Sequence, residues 1–166
     1  YIKPGLGISG GNIERDIYSI GEILKKENKT LSIIKDFQKN SLYMKSWVYR
    51  VLKKEKILSK KNKFNIGILG LSYKENTNSI KNSPAIYLLK KIRNAKVNVY
   101  DPEVILKKTK NFQQADNIRS LVNNSNVIIL MTPWPEFRNI KNILRAQKPR
   151  KIILIDPYRI IDFEKI

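Results

Sequence analysis

Residues 70–84 form a polar segment that follows an apolar run and holds the residues best suited to chemistry. Lys74 and Lys81 precede Ser83-Pro84, a pair typical of the N-cap and first residue of a helix. Lysines beside a helix N-terminus are suited to holding phosphate. The segment matches neither G-x-G-x-x-G nor G-x-x-x-x-G-K-[ST]. Its spacing therefore leaves both phosphate binding and an ordinary polar connection open.

The glycine-rich opening of the chain is the second candidate. Four of the seven glycines lie in it, which indicates backbone with positive φ or in close contact with another group: Gly5, Gly7, Gly10 and Gly11. Two acidic residues and an apolar i, i+3, i+7 pattern follow and predict the start of a helix: Glu14, Asp16, Ile17, Ile20 and Leu24.

The composition excludes several kinds of catalysis, because the 166 residues include no His and no Cys. There can be no thiolate nucleophile, no disulfide and no His-dependent triad, and we predict no metal site. No run of about 18 apolar residues occurs, so we predict no membrane span. The chain opens at Tyr1 without a signal-like segment. We therefore expect an internal or truncated piece of a longer protein.

The charge is strongly positive, since 33 Lys and Arg stand against 14 Asp and Glu, for a net +19. The excess is spread along the chain, and its densest part is residues 53–63. Two interpretations follow, a nucleic-acid partner and a solvated basic surface that favours small anionic ligands. No basic arm or recognition helix is evident. We therefore expect the second and consider nucleic acid unlikely as a partner.

A long helix is predicted from about Thr30, a plausible N-cap, to about Lys56. Its apolar positions keep a nearly constant 3-4 spacing, namely Ile34, Phe37, Met44, Val48 and Val51. Such a helix would either belong to the core or pack on its own copy in a dimer.

Beyond a basic linker at 56–63, strands alternate with helices. Apolar runs predict strands near 64–70, 96–100, 126–131 and 151–155, with helices from Pro84 and over 115–122. This alternation predicts an α/β fold with a parallel sheet. Because ligands bind beyond the carboxyl ends of such strands, the loops that begin at Leu71, Asp101, Thr132 and Asp156 are the ones expected to carry function.

Several motifs, in order along the chain, resemble those of one enzyme family. Residues 70–85 read Gly-Leu-Ser-Tyr-Lys-Glu-Asn-Thr-Asn-Ser-Ile-Lys-Asn-Ser-Pro-Ala. This closely resembles G-[LF]-[AS]-[FY]-K-x-[ND]-T-x-D-x-R-x-S-P-A, the signature of the UDP-glucose/GDP-mannose dehydrogenase family. Val99-Tyr-Asp-Pro102, Thr132-Pro-Trp-Pro-Glu-Phe137 and the stretch 155–162 also match. The opening 5–16 resembles the family loop G-F-G-F-G-G-S-C-F-P-K-D.

The resemblance implies an architecture. Family members hold NAD in an N-terminal Rossmann domain, dimerise through a central helix and hold the UDP-sugar in a C-terminal Rossmann-like domain. This chain resembles the last two parts, with the catalytic-loop remnant and dimerisation helices at 1–60 and the UDP-sugar domain at 61–166. The resemblance thus implies a Rossmann-like parallel sheet with helices on both faces, preceded by a long α-helical segment. It also implies a cytoplasmic homodimer that uses NAD bound mainly by a domain absent from this chain.

The resemblance also suggests site residues. Asn12, at the family's Cys position, and Asp16 are the catalytic candidates. Lys81 would face the NAD side. The expected substrate-binding residues are Gly7, Ile8, Ser9, Gly10, Tyr73, Lys74, Tyr158 and Arg159.

Departures from the family pattern limit the expected activity. Asn12 replaces a nucleophilic thiolate, and a carboxamide is no nucleophile at neutral pH. Ser79 stands at a usually acidic position, and Tyr158 where many members carry Arg. We therefore expect a UDP-sugar-binding portion of a dehydrogenase, inactive alone. The alternatives are a basic nucleic-acid-binding module and a degenerate regulatory subunit.

Overall fold

The computed structural model describes residues 5–29, 32–59, 64–106, 112–146 and 151–162. The predicted N-cap Thr30 and the linker lysines Lys60, Lys61 and Lys63 lie outside these residues.

The N-terminal part is helical. It consists of α1 (Asn12–Lys26), α2 (Ser32–Lys45) and α3 (Trp47–Lys54). The prediction of one uninterrupted long helix is wrong at Ser46, which separates α2 from α3. The Ser46 hydroxyl donates to the Tyr43 carbonyl at 2.8 Å, and a serine that bonds back to its own helix competes with the regular hydrogen-bond ladder.

A five-stranded parallel sheet follows, with strand order β3-β2-β1-β4-β5. The strands are β1 (Asn65–Leu69), β2 (Lys96–Tyr100), β3 (Phe112–Gln114), β4 (Val127–Leu130) and β5 (Ile153–Ile155). The α/β class and the parallel sheet are thus confirmed. The edge strand β3 was not predicted, because Phe-Gln-Gln lacks an apolar pattern.

Helices connect the strands. They are α4 (Pro84–Lys91), α5 (Ile118–Asn123) and α6 (Ile140–Arg145), and a 3₁₀ helix (Pro135–Asn139) precedes α6. The predicted cap of α4 is confirmed, since the Ser83 hydroxyl accepts from the Ala85 amide. The 3₁₀ helix and α6 were not predicted. Of the helices that the structure describes, none is both long and apolar enough to cross a membrane.

The sheet is covered on both faces. Val127 and Ile129 of β4 join one buried cluster, and Ile128 and Leu130 join the other, because side chains alternate along a strand. The first cluster also takes in Val48 and Leu52 of α3 and residues of α4, whereas the second takes in α5 and α6. The chain runs from β1 to β2 and β3, then crosses back to β4 on the other side of β1. The carboxyl ends of β1 and β4 therefore form the switch point at which ligands of such folds bind.

Candidate functional site

Asp101, directly after β2, organises the loops at the carboxyl edge of the sheet. The residue is 4% exposed, and its carboxylate accepts six hydrogen bonds. Oδ2 accepts from Leu71 N (2.6 Å), Ser72 N (3.0 Å), Ser72 Oγ (3.2 Å) and Trp134 Nε1 (3.3 Å), and Oδ1 accepts from Glu103 N and Val104 N (both 2.9 Å). One side chain thereby fixes the loops that follow β1, β2 and β4. The sequence placed Asp101 at the start of a loop expected to carry function, but it did not predict that this side chain would join three loops.

The loops after β1 and β4 touch at Gly70. Its φ is +91°, and a Cβ there would lie 2.5 Å from Thr132 Cβ and 2.6 Å from Thr132 N. The Thr132 hydroxyl donates to the Ser72 carbonyl at 2.7 Å. Glycine is therefore required at position 70 both for its backbone conformation and for this close approach.

The loop after β1 is folded back on itself before α4 begins. Tyr73 N donates to the Ser79 carbonyl at 3.0 Å, and the Ser83 hydroxyl donates to the Leu71 carbonyl at 2.7 Å. Asn76 and Asn82 adopt positive φ, which asparagine tolerates better than most residues. We call residues 70–83 the first βα loop.

Residues 5–11, called the glycine loop below, pack directly on the first βα loop. A Cβ on Gly10 (φ +76°) would lie 2.8 Å from the Tyr73 ring, and one on Gly11 would lie 2.7 Å from Lys81 Nζ. Gly10 N donates to the Lys81 carbonyl at 3.1 Å. Candidate residues 63 or more positions apart in the chain are thus brought into contact, for example Gly10 and Tyr73 or Ser9 and Tyr73. This contact could not be derived from spacing.

Asn12 and Asp16, the two catalytic candidates, lie in the first turns of α1, and both are exposed. The Asp16 carboxylate pairs with Arg15 at 3.3 Å. Lys74 is also exposed, with its ammonium 5.7 Å from the centre of the Tyr73 ring. At this distance the ammonium is attracted to the face of the ring, and its exposure leaves it accessible to an anionic ligand.

Tyr158 is half-buried. Its hydroxyl donates to the Met131 carbonyl at 3.1 Å. Burial, reinforced by the Glu75 carboxylate, raises the pKa of Tyr158 to about 12. The neighbouring Arg159 is exposed and has a positive φ of 52°. Arg159 is thus the more exposed of these two candidates, and the Tyr158 hydroxyl already bonds to the end of β4.

Lys45, at the end of α2, was missed by the sequence analysis. It is only 8% exposed, and its ammonium donates to Asn82 Oδ1 in the first βα loop. Burial lowers the pKa of Lys45, an effect that the Glu14 carboxylate partly opposes. Lys45 lines a cleft of about 490 Å³ between α1, α2 and α4. A lysine on an amphipathic helix is ordinarily solvated, so no sequence signal marked it.

Two common cofactor-binding features are not found among the described residues. The described residues hold no group of three acidic side chains that could bind a metal. Gly5, Gly7 and Gly10 match the spacing G-x-G-x-x-G, but they lead into α1 and not from a strand of the sheet into its crossover helix. Among the described residues, these glycines therefore do not show the βαβ context that a dinucleotide fingerprint requires.

A protein-family model supports the resemblance drawn from the motifs. Residues 67–163 match the model described as UDP-glucose/GDP-mannose dehydrogenase family, UDP binding domain.

Curated relatives extend the similarity to nearly the whole chain. It is 28% identical over 161 residues to UDP-N-acetyl-D-mannosamine dehydrogenase of Pyrococcus horikoshii, covering 95% of this chain. It is also 28% identical over 180 residues to UDP-glucose 6-dehydrogenase of Rickettsia bellii, covering 92% of this chain. The chain spans only 36% and 40% of the length of these two relatives.

Solved structures share the fold. That of UDP-D-ManNAc dehydrogenase from Pyrococcus horikoshii matches with a TM-score of 0.75 at 27% identity, covering 98% of this chain and 37% of the other. GDP-mannose dehydrogenase from Pseudomonas aeruginosa matches with a TM-score of 0.76 at 16% identity, over 97% of this chain and 38% of the other.

Proposed function

Since the chain belongs to the UDP-glucose/GDP-mannose dehydrogenase family, we propose that it binds a UDP-sugar between the glycine loop and the first βα loop. The observation that carries the proposal is the direct packing of Gly10 on Tyr73 and of Gly11 on Lys81. This packing unites in one surface two motifs that the sequence analysis singled out separately.

The roles proposed for the individual residues follow from their exposure. Backbone groups of the glycine loop would surround the sugar, at Gly7, Ile8, Ser9 and Gly10. Lys74 and Arg159 are exposed cations that would attract the diphosphate. Tyr73 would contact the ligand with its ring, while Tyr158 would keep the loop after β5 in place through its bond to Met131.

Calorimetry with UDP and UDP-hexoses tests the substrate site. We expect saturable binding, weakened about tenfold in Lys74→Ala, since a hydrogen bond to a charged group contributes roughly 1.5–3 kcal/mol. Lys25→Ala, an exposed lysine in the last turn of α1, is the matched control and should bind as the unmodified protein does. Absence of binding at millimolar UDP and UDP-hexose would refute the proposal.

We propose that NAD, when bound, would supply the oxidising chemistry of this family. The described residues do not form a binding site for NAD. The loop after β1 lacks the dinucleotide-binding fingerprint, and Thr132 packs directly against Gly70. Only Lys81, exposed beside Gly11, is proposed to face the cofactor. Oxidation by this chain alone is therefore not proposed.

Asn12 is the second feature, after the lack of an NAD site among the described residues, that limits oxidation of the sugar. It stands at the helix start where the family carries a thiolate, and an amide cannot capture an aldehyde as a thiohemiacetal. We propose that even a fusion to an NAD-binding domain stops before the uronate, and that the same fusion carrying Asn12→Cys goes further. Uronate formed at equal rates by both fusions would contradict this proposal.

Homodimerisation is proposed through the first two helices, in a protein that acts in the cytoplasm. Both helices expose large apolar side chains, which favour association: Ile13, Tyr18, Ile20 and Ile23 on α1, and Ile33, Phe37, Leu42, Tyr43 and Met44 on α2. Sedimentation should give a dimer that Phe37→Glu dissociates and Lys39→Glu does not. If the unmodified protein sediments as a monomer, the proposed homodimerisation is refuted.

The net charge of +19 favours one alternative, a nucleic-acid-binding module. Its test is binding of duplex and single-stranded oligonucleotides at about 0.15 M salt, where merely basic surfaces weaken steeply. Saturable oligonucleotide binding that persists at this salt concentration would favour the nucleic-acid-binding module over the UDP-sugar-binding proposal. A regulatory subunit, the remaining alternative, would bind UDP-sugar without turnover even when an NAD domain is supplied.

A further inference from the structure

A chain of hydrogen bonds links the end of α2 to both loops of the candidate site. Lys45 Nζ donates to Asn82 Oδ1, and Asn82 Nδ2 donates to the Ile8 carbonyl at 3.1 Å. The Ile8 amide in turn donates to Ser41 Oγ, again on α2, at 2.8 Å. Both backbone groups of Ile8 are therefore held by side chains, one from the first βα loop and one from α2.

Asn82 is suited to its central place for two reasons. Its φ of +54° lies in the left-handed region, where asparagine is one of the more tolerant residues. Its amide also supplies an acceptor to Lys45 and a donor to Ile8 at once. An aspartate could accept from the lysine but would turn an oxygen towards the Ile8 carbonyl.

Lys45 is unusual because it is buried without a carboxylate in salt-bridge range among the described residues. Burying an ammonium costs free energy unless hydrogen bonds compensate, so such a group is expected to fix the geometry of its partners. Its Asn82 bond orients the amide, because the ammonium can only donate and must face the oxygen.

We propose that Lys45 is a positioning residue that, through Asn82, holds the glycine loop against the first βα loop in the geometry that receives the nucleotide sugar. This inference rests on the proposed function for the identity of the ligand, but the loop geometry itself is a property of the ligand-free protein. Lys45 touches no ligand in this proposal.

The test combines hydrogen exchange without ligand and UDP titration. Lys45→Met keeps most of the side-chain volume and removes the donor, and Asn82→Gly keeps the backbone conformation and removes both bonds. In each variant we expect the amides of Ile8 and Gly10 to exchange about tenfold faster, with those of β1 and β4 unchanged. UDP affinity should fall about tenfold in both variants.

Two further variants separate positioning from general stability. Lys39→Met makes the same change at an exposed position of α2 and should leave exchange and affinity unchanged. Lys45→Arg retains donors, the adjoining cleft has room for the larger group, and it should restore much of the protection and affinity lost in Lys45→Met.

The outcomes keep this inference apart from the proposed function. Unchanged exchange at Ile8 and Gly10 in Lys45→Met would overturn the positioning role, whatever UDP does. An equal acceleration in the sheet would also overturn it, because it would show global destabilisation. Faster loop exchange in a protein that never binds UDP would support the positioning role and refute the proposed ligand.

Discussion

Replacing Asp101 by Asn should destabilise the whole sheet edge, although the change is only one of charge and hydrogen-bonding sense. An amide has one accepting oxygen. In its better orientation that oxygen keeps the four bonds at Oδ2, and the NH₂ group then faces Glu103 N and Val104 N, each now 2.9 Å from Oδ1. Two backbone donors would lose their acceptor and meet another donor.

The magnitude follows from those two donors. An unsatisfied buried donor costs about 1–3 kcal/mol, and Glu103 is the more exposed of the two, so we expect a total near 3 kcal/mol. For a chain of this size that corresponds to a Tm lowered by roughly 6–12 °C. The reverse orientation would disrupt four bonds and is expected to cost more.

Urea unfolding followed by circular dichroism measures this change. Asp116→Asn, an exposed aspartate, is the control and should stay within about 0.5 kcal/mol of the unmodified protein. A loss below about 1 kcal/mol in Asp101→Asn, with normal UDP affinity, would refute the view that this carboxylate organises the site. Asp101→Ala removes every acceptor and is less informative, because the loss of all six bonds is expected to prevent folding.

Three further changes follow from the geometry. A tyrosine whose pKa is raised to about 12 stays protonated in the fold while the unfolded chain ionises near 10, so its stabilisation is lost as pH rises between these values. Tyr158→Phe should therefore make unfolding free energy less steeply dependent on pH from 10 to 12, by about 3 kcal/mol in total, as measured by urea unfolding at each pH. Gly10→Ala should lower stability by roughly 1–2 kcal/mol and weaken UDP binding, because its Cβ meets the Tyr73 ring. Gly70→Ala should cost more in the same urea assay, because its Cβ meets backbone, which cannot rotate away as a ring can; equal losses would contradict this ordering.

Local patterns were sufficient for the central strands and the start of α4. The runs that became β1 and β4 are apolar because both faces of these central parallel strands are buried, whereas β2 left a weaker, alternating signal in which only Val97 and Val99 are buried. Ser83-Pro84 predicted a cap because capping depends on neighbours only. The edge strand β3 gave no such signal, since its residues are at most half-buried and its pairing to β2 is a tertiary event.

The same distinction between local sequence patterns and tertiary packing applies to the candidate site. The sequence by itself determined which motifs are present, the absence of thiol and imidazole chemistry, and the amide at position 12, because these depend on residue identity alone. Only the tertiary structure decided that Tyr73 packs on Gly10, that Asp101 fixes three loops, and that Lys45 is buried against Asn82. Apart from the bonds of Asp101 within its own loop, these contacts join residues at least 29 positions apart. The side chains show which chemistry is available, but their joint geometry arises only when the sheet and the helices pack together.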